Sequence, residues 1–333
     1  MLLYFFTFVL SLILSLYLTP VMRRAALQFG IVDHPDGKLK KHKKPMPYLG
    51  GVAIYLAFLL ALAFSFTPEF NKEVLGLLLA GTIVLLLGFI DDLGFLKTWV
   101  KFAGQLIAVL VLVKSGIFIK LVFLPTYVSI PLTFLWLVGM INAFNIIDVM
   151  DGLAAGVAFL ASVAFFLVAL LNGRVMIAIV AVTLSGSLLG FLRYNFNPAR
   201  IYMGDTGSMF LGLMLGAMAM IGSYTEKNFL GFLAPLVILG IPIFDTFQVM
   251  VARWRKGISV VRGSPDHYAL RLRVAGVSVQ GVTWLSYGAA AILGGLGILI
   301  MHVSALYHVV TVVGLLALAG LISIFLLQRI RVK

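Results

Sequence analysis

Residues 74–92 read VLGLLLAGTIVLLLGFIDD. Val74 to Ile90 carry no charge, and then Asp91 and Asp92 arrive together. As a helix this run is about 26 Å long at about 1.5 Å per residue. That is close to the roughly 30 Å hydrocarbon core of a bilayer. Two adjacent carboxylates at its end cost free energy through repulsion and desolvation, about 2.5–3.5 kcal/mol each on insertion scales. They need a cation, either a bound metal or Lys97 and Lys101. Successive helical residues point about 100° apart. One Asp is therefore expected to face a site and the other a structural Lys.

The surrounding chain repeats the pattern. Of 333 residues 62% are hydrophobic and 11% charged, and the mean hydropathy is +1.11. Soluble domains are about 45–50% apolar and about 25% charged, so a water-soluble globular protein is excluded. Disorder is excluded by the same apolar surplus. With no cysteine, a disulfide framework and a cysteine zinc site are impossible. The class expected is an all-α polytopic integral membrane protein. The apolar runs predict about eleven spans: 2–22, 49–67, 74–91, 100–114, 130–147, 153–171, 174–192, 208–223, 229–251, 281–301 and 305–327. Pro125 and Pro131 predict an irregular or re-entrant start to the fifth. The first run lacks a basic leader and a cleavage site, and Arg23-Arg24 follow it, so it is read as a retained helix.

Charge sorts by side. With the N-terminus outside and the C-terminus cytoplasmic, twenty of the 25 basic residues fall on the inner face, a strong positive-inside signal. All three Glu (Glu69, Glu73, Glu226) fall outside, and all nine Asp fall inside or at the inner end of a span. A basic face with a subset of carboxylates points to an anionic ligand and a metal on the cytoplasmic face. The plain alternative is loops that serve topology and anionic lipids alone.

Five inner segments, 23–48, 91–101, 145–152, 193–208 and 252–278, are expected to form the site of a single membrane domain spanning 1–333. The first holds seven basic residues and leads into Gly50-Gly51, as a phosphate clamp or a topology loop. In NAFNIIDVMDG (142–152), Asn142, Asn145, Asp148 and Asp151 recur every three residues. If helical, they form one polar stripe, which suits a hard cation or a nucleotide. In FNPARIYMGDTGS (196–208), Gly204 and Gly207 flank Asp205. Ser208 is predicted as the N-cap of the next helix, with its free N–H groups offered to phosphate. The last segment contains Arg253, Arg255, Arg262, Arg271 and Arg273, candidates for bidentate phosphate contacts, with Pro265, Asp266 and His267. A short amphipathic helix on the membrane is expected after Pro265. Asp245 is a site candidate as an intramembrane carboxylate, or the partner of a neighbouring Lys or Asn.

The ordered set Asp91-Asp92, NAFNIIDVMDG, FNPARIYMGDTGS and SPDH (264–267) resembles the polyprenyl-phosphate N-acetylhexosamine-1-phosphate transferases. This is the WecA-, TagO- and MraY-type group of glycosyltransferase family 4. DHPDGKLKKHKKPMPYLGG (33–51) looks like that family's first cytoplasmic loop, so the resemblance runs from about residue 30 to 275. It implies that polyprenyl phosphate attacks the β-phosphorus of a UDP-N-acetylhexosamine, GlcNAc first among them, to give polyprenyl-diphospho-sugar and UMP. It implies Mg²⁺, with Mn²⁺ as the alternative, at a bacterial-type inner membrane. Asp205 matches the metal ligand, joined by Asn145. Asp91 matches the group that positions the lipid phosphate, while Asp92 is expected to pair with a Lys. Lys101 matches a phosphate contact, Asp151 the uracil contact, and Tyr202 the ring stacked on uracil. Asp148 and Asn142 belong to the same wall, and Arg262, His267 and Arg271 to the sugar and diphosphate. No nucleic-acid partner is expected, and the resemblance suggests a homodimer.

One departure stands out. Many members carry a run resembling HLHHRL in the last loop, where this chain has His267-Tyr268-Ala269-Leu270-Arg271-Leu272. The triple His of the muramoyl-pentapeptide enzymes is absent, which favours a different sugar. A transporter for an anionic solute is the reading from another class. It predicts charges at the bilayer midplane, whereas these Asp lie at its boundary.

Overall fold

A computed structural model describes residues 1–33, 45–65, 71–121, 123–222, 224–225, 229–259, 265–303, 306–330 and 332. Residues 34–44 of the first inner segment and Arg262 of the last lie outside the described residues.

Apolar composition and capped ends make this chain helical. Asn71 caps the helix from Lys72 by accepting from Val74 N at 2.9 Å, and Ser278 caps the helix from Val279 by accepting from Gly281 N at 3.0 Å. The elements are α1 (Leu2–Gln28), α2 (Gly50–Ser65), α3 (Lys72–Asp92), α4 (Thr98–Lys114), α5 (Thr126–Ile147) and α6 (Leu153–Leu171). After them come α7 (Val175–Asn195), α8 (Gly204–Ile221), a 3-10 turn (Phe229–Leu233), α9 (Ala234–Ile238) and α10 (Gly240–Arg255). The chain ends in α11 (Tyr268–Val274), α12 (Val279–His302) and α13 (Leu306–Gln328). Two-residue strands β1 (Val32–Asp33) and β2 (Met46–Pro47) pair antiparallel at the ends of the first inner loop.

Among the described residues, eight helices are long and apolar enough to cross a membrane. They become nine if the bent pair Phe229–Ile238 and Gly240–Arg255 is one span. The chain is an integral membrane protein. Each predicted run coincides with helix, with three corrections. Run 229–251 is not straight but bends by 72°. Gly240 and Pro242 follow the break, and Pro242 brings no backbone N–H to a continuous ladder. The stretch after α4, 115–121 and 123–125, is irregular as expected, but the fifth helix starts at Thr126, ahead of the predicted 130, with Pro125 as its N-cap and Pro131 in its second turn. Pro125 forfeits little there, whereas Pro131 leaves the Tyr127 carbonyl without its helical donor. The first helix continues through Arg23-Arg24 to Gln28.

α8 is the axis. From Gly204 to Ala219 only Asp205 is not buried, with α3, α5 and α2 packed around it. Small residues let these helices close up: a Cβ at Gly88 would lie 2.5 Å from Asp205 O, and one at Gly51 2.6 Å from Gly207 Cα. α13 is the opposite case, with Val309 its one buried residue among those described. Its apolar side chains face outward, as a bilayer requires. The inner ends of α3, α4, α5 and α8 meet at one place.

Candidate active site

Asp91 and Asp92 end α3 and part company there. Asp91 Oδ2 accepts from Lys101 Nζ, one turn into α4, at 2.6 Å. The same ammonium also reaches Asp205 Oδ2. Lys101 therefore joins two carboxylates from helices that are far apart in sequence. Its side chain is 16% exposed, so the pairing is only partly screened by water.

Asp92 corrects two expectations. Among the described residues it pairs with no Lys. Its carboxylate accepts from Asp205 N at 2.8 Å, Thr206 N at 3.0 Å and Thr206 Oγ1 at 2.6 Å. A helix start leaves unpaired N–H groups and a partial positive charge, and Asp92 satisfies both. Those N–H groups are thus not offered to phosphate. Ser208 is not the N-cap either: α8 begins at Gly204, and Ser208 Oγ accepts from Asn145 Nδ2 at 3.1 Å. Gly204 has φ +72° and packs on the Asp92 carboxylate, so its hydrogen side chain is what allows this cap.

The expected stripe of four polar residues is broken. α5 stops at Ile147, and Asp148 follows with φ −79° and ψ 58°. Asn142 points to α4, where its amide donates to Gln105 Oε1 at 2.9 Å. Asn145 faces α8, where its amide donates to Ser208 Oγ, one turn on from Asp205. Asp151 turns away to the 196–208 loop, accepting from Asn197 Nδ2 at 2.8 Å and Ala199 N at 2.9 Å. Only Asn145 and Asp148 remain directed at the Asp205 cluster. Asp148 is half-buried at the end of α5. Desolvation, then the charges of Asp205, Asp92 and Asp151, push its carboxyl up to about 8.

Tyr202 lies on the same side. Its N–H donates to Pro47 O at 2.9 Å, and its carbonyl accepts from Gly50 N at 3.1 Å. This backbone pairing ties the first loop to the 196–208 loop. The ring centroid lies 6.3 Å from that of Tyr48. Burial, then the charges of Asp151, Asp33 and Asp148, raise the Tyr202 phenol to about 12.

The last inner segment forms a second cluster. His267 Nδ1 lies 2.9 Å from Asp245 Oδ2, and Tyr268 N donates to Asp245 Oδ1 at 2.9 Å. Asp245 is thus paired with His267, not with a Lys or Asn. Asp266 accepts from Lys256 Nζ and Arg271 at 2.7 Å each. Arg271 also donates to Leu327 O and Ile330 O. It is 2% exposed, and the donors expected to reach a substrate are used to hold the end of α13. The helix after Pro265 is present as α11, with Tyr268, Ala269 and Arg271 buried against the protein and Val274 exposed. Sequence reasoning passed over Thr206 and Gln105. Gln105 had a signal, a buried amide four residues after Lys101 in an apolar helix.

Between α5 and α10 two apolar cavities of about 640 and 480 Å³ share Leu135, Gly139, Thr246 and Met250. The first reaches Lys120 and Tyr224, the second Asn142 and Arg253.

Among the described residues no three acidic or His side chains converge as a ready metal cage. The donors do fit Mg²⁺, which takes one or two carboxylates and leaves its other positions to water and substrate phosphates. Asp205 with the Asn145 amide is such a set. A lysine already bridging Asp205 and Asp91 marks where negative charge is concentrated.

The profile of glycosyl transferase family 4 matches residues 74–223. The chain is 36% identical to a Bacillus subtilis protein named probable undecaprenyl-phosphate N-acetylglucosaminyl 1-phosphate transferase, over 81% of this chain and 77% of that one. It is 33% identical to the Mycolicibacterium smegmatis decaprenyl-phosphate N-acetylglucosaminephosphotransferase, over 83% and 76%. It is also 33% identical to the Heliobacterium modesticaldum phospho-N-acetylmuramoyl-pentapeptide-transferase, over 87% and 94%.

Proposed function

The chain belongs to glycosyl transferase family 4, and on that premise we propose that it transfers N-acetylhexosamine-1-phosphate from a UDP-sugar to polyprenyl phosphate. GlcNAc-1-phosphate is the group we assign, with undecaprenyl-type phosphate as acceptor. The observation that carries this reading is the bridge of Lys101 between Asp91 and Asp205; the apolar cavities between α5 and α10 are suited to a lipid tail.

In the proposed reaction an oxygen of the lipid phosphate bonds to the β-phosphorus as the bond from that phosphorus to the UMP oxygen breaks. One phosphoanhydride replaces another, so the step runs near equilibrium. Little covalent chemistry falls to the protein, and positioning with charge stabilisation suffices. Lys101 neutralises incoming phosphate oxygens, and Asp91 holds that ammonium and orients the acceptor. Asp92 fixes the start of α8, and hence Asp205. Tyr202 and Asp151 border the place for uracil, Asp148 closes the wall, and His267 presents its ring from the last segment. Mg²⁺ (Mn²⁺ as the substitute) held by Asp205 and Asn145 would offset the diphosphate charge. Eleven spans, an outer N-terminus and a cytoplasmic C-terminus would place this site on the cytoplasmic face of a bacterial-type inner membrane, in keeping with the positive-inside distribution.

A panel of UDP-HexNAc donors with undecaprenyl phosphate tests the proposal. UMP release is expected with UDP-GlcNAc, and none with the muramoyl-pentapeptide donor, because Ala269 and Leu270 stand in the place of the His run. Silence from every donor would sink the activity.

A further inference from the structure

Three of the helices whose inner ends meet, α4, α5 and α8, are joined pairwise by side-chain contacts. Lys101 Nζ on α4 donates to Asp205 Oδ2 on α8. Asn145 Nδ2 on α5 donates to Ser208 Oγ on α8 at 3.1 Å. Asn142 Nδ2, also on α5, donates to Gln105 Oε1 on α4 at 2.9 Å. The circuit closes because the two members on each helix, 101 and 105, 142 and 145, 205 and 208, are one turn apart and share a face.

Gln105 is 1% exposed. The other buried residues of α4 are Ala108, Val109 and Leu112, all apolar. Apolar contacts are non-directional, so they set the height of α4 along its neighbours only loosely. An amide pair demands a short, aligned approach, and the Gln105–Asn142 bond fixes that height. Asn142 is itself held, since the same Nδ2 donates to Val138 O at 2.8 Å. Lys101 depends on this placement more than most side chains do. Its ammonium is a point charge on a flexible four-carbon stem, and it lies one helical turn from the bond that places its backbone. A rise or rotation of α4 would draw it from Asp91 as well as Asp205, both of which it now reaches.

We infer that Gln105 is a positioning residue: through Asn142 it sets α4 so that Lys101 lies between Asp91 and Asp205. For its effect on turnover the inference rests on the proposed transferase reading. For its effect on Lys101 it rests on the three contacts alone. Gln105 touches neither substrate and acts through the lysine.

The test pairs chemical labelling with kinetics on the full chain in detergent. Lysines are acetylated with acetic anhydride, a chelator being present, and Lys101 is compared with Lys97 by peptide mass spectrometry. Lys97 is exposed and serves as the reference. An ammonium held by two carboxylates reacts slowly, so Lys101 should lag behind Lys97 in wild type. Gln105→Leu should raise Lys101 labelling relative to Lys97 several-fold. Its kcat should fall by roughly tenfold, since a misplacement of about 1 Å can cost about 10²-fold. KM for UDP-GlcNAc and for undecaprenyl phosphate should stay within about twofold, the pattern of a group felt in the transition state. Asn142→Leu and the double variant should match Gln105→Leu in both readouts, because all three break the same bond. The double variant leaves no amide unpaired and decides the matter if a single variant does not fold. Folded variants with wild-type kcat and wild-type Lys101 labelling would reduce the pair to packing and overturn the inference. Effects of the two substitutions that simply add would overturn it as well, and so would a raised KM with kcat intact, which would make the pair a binding contact. Raised Lys101 labelling in the variants of a protein that transfers no sugar phosphate from any donor overturns the proposed activity and leaves this inference standing.

Discussion

Asp92 holds Thr206 by both its groups: Oδ2 accepts from the backbone N–H at 3.0 Å and from the hydroxyl at 2.6 Å. The end of α3 is thereby fastened to the start of α8, and the preceding metal-ligand candidate, Asp205, donates its own N–H to Asp92 Oδ1 at 2.8 Å. Thr206→Val removes one bond and leaves a buried carboxylate oxygen short of a donor. The expected loss is about 1–3 kcal/mol, read as a lower melting temperature in detergent. Asp92→Leu should cost more, since it strips the helix start of all three contacts. Equal stability of Asp92→Leu and wild type would show that the cap does not hold these helices together.

Lys101→Met leaves Asp91 and Asp205 facing each other with no cation between them. Turnover is expected to fall by about 10² or more, the scale for removal of a charge-stabilising donor. The melting temperature should fall as well, and added Mg²⁺ should restore part of it. Near-normal kcat with a raised KM alone would instead mark Lys101 as a simple binding residue.

Asp148 makes stability depend on pH. Its carboxyl ionises near 3.8 in an unfolded chain and near 8 in the fold, so between these values the folded state binds the extra proton. Its contribution is fully present below pH 3.8 and is lost as pH rises through about 8. Asp148→Asn cannot ionise. The difference in melting temperature between variant and wild type, measured with a chelator present, should therefore grow in favour of the variant from pH 5 to pH 9. A difference that is flat with pH would contradict the burial argument.

Gly88 lets α3 approach α8 closely enough that a Cβ would lie 2.5 Å from Asp205 O. Gly88→Val must push the helices apart, and overpacking of this kind costs about 1–3 kcal/mol. Turnover should fall further than Asp205 chemistry alone would demand, because Asp91 and Asp205 move relative to each other. Undiminished activity would show that the approach is not needed.

The long apolar helices were legible because uncharged runs of bilayer length must satisfy their backbone within the segment when in lipid. The bend at Leu239 was less so, since Gly240 and Pro242 permit a break but packing decides its angle. Within the site, residue types pointed to the right loops, and Asp91, Asn145 and Asp205 do come together. The assignment of partners did not follow from spacing. Asp91 rather than Asp92 takes the lysine, because the free N–H groups of α8, more than a hundred residues later, hold the Asp92 carboxylate. The stripe through Asn142 and Asp151 failed because α5 ends at Ile147, and no residue there announces the stop. Arg271 looked like a phosphate ligand by type, but its donors answer the carbonyls at the end of α13, a contact that local sequence does not encode.

The central claim is transfer of a sugar with its phosphate, and a label on the β-phosphorus of UDP-GlcNAc follows that bond directly. With undecaprenyl phosphate and Mg²⁺, the label should move into the lipid-extractable product as unlabelled UMP appears, and Asp205→Asn should stop both. Label that stays in the aqueous nucleotide while the sugar moves, or that never leaves the donor in folded protein, would contradict the account.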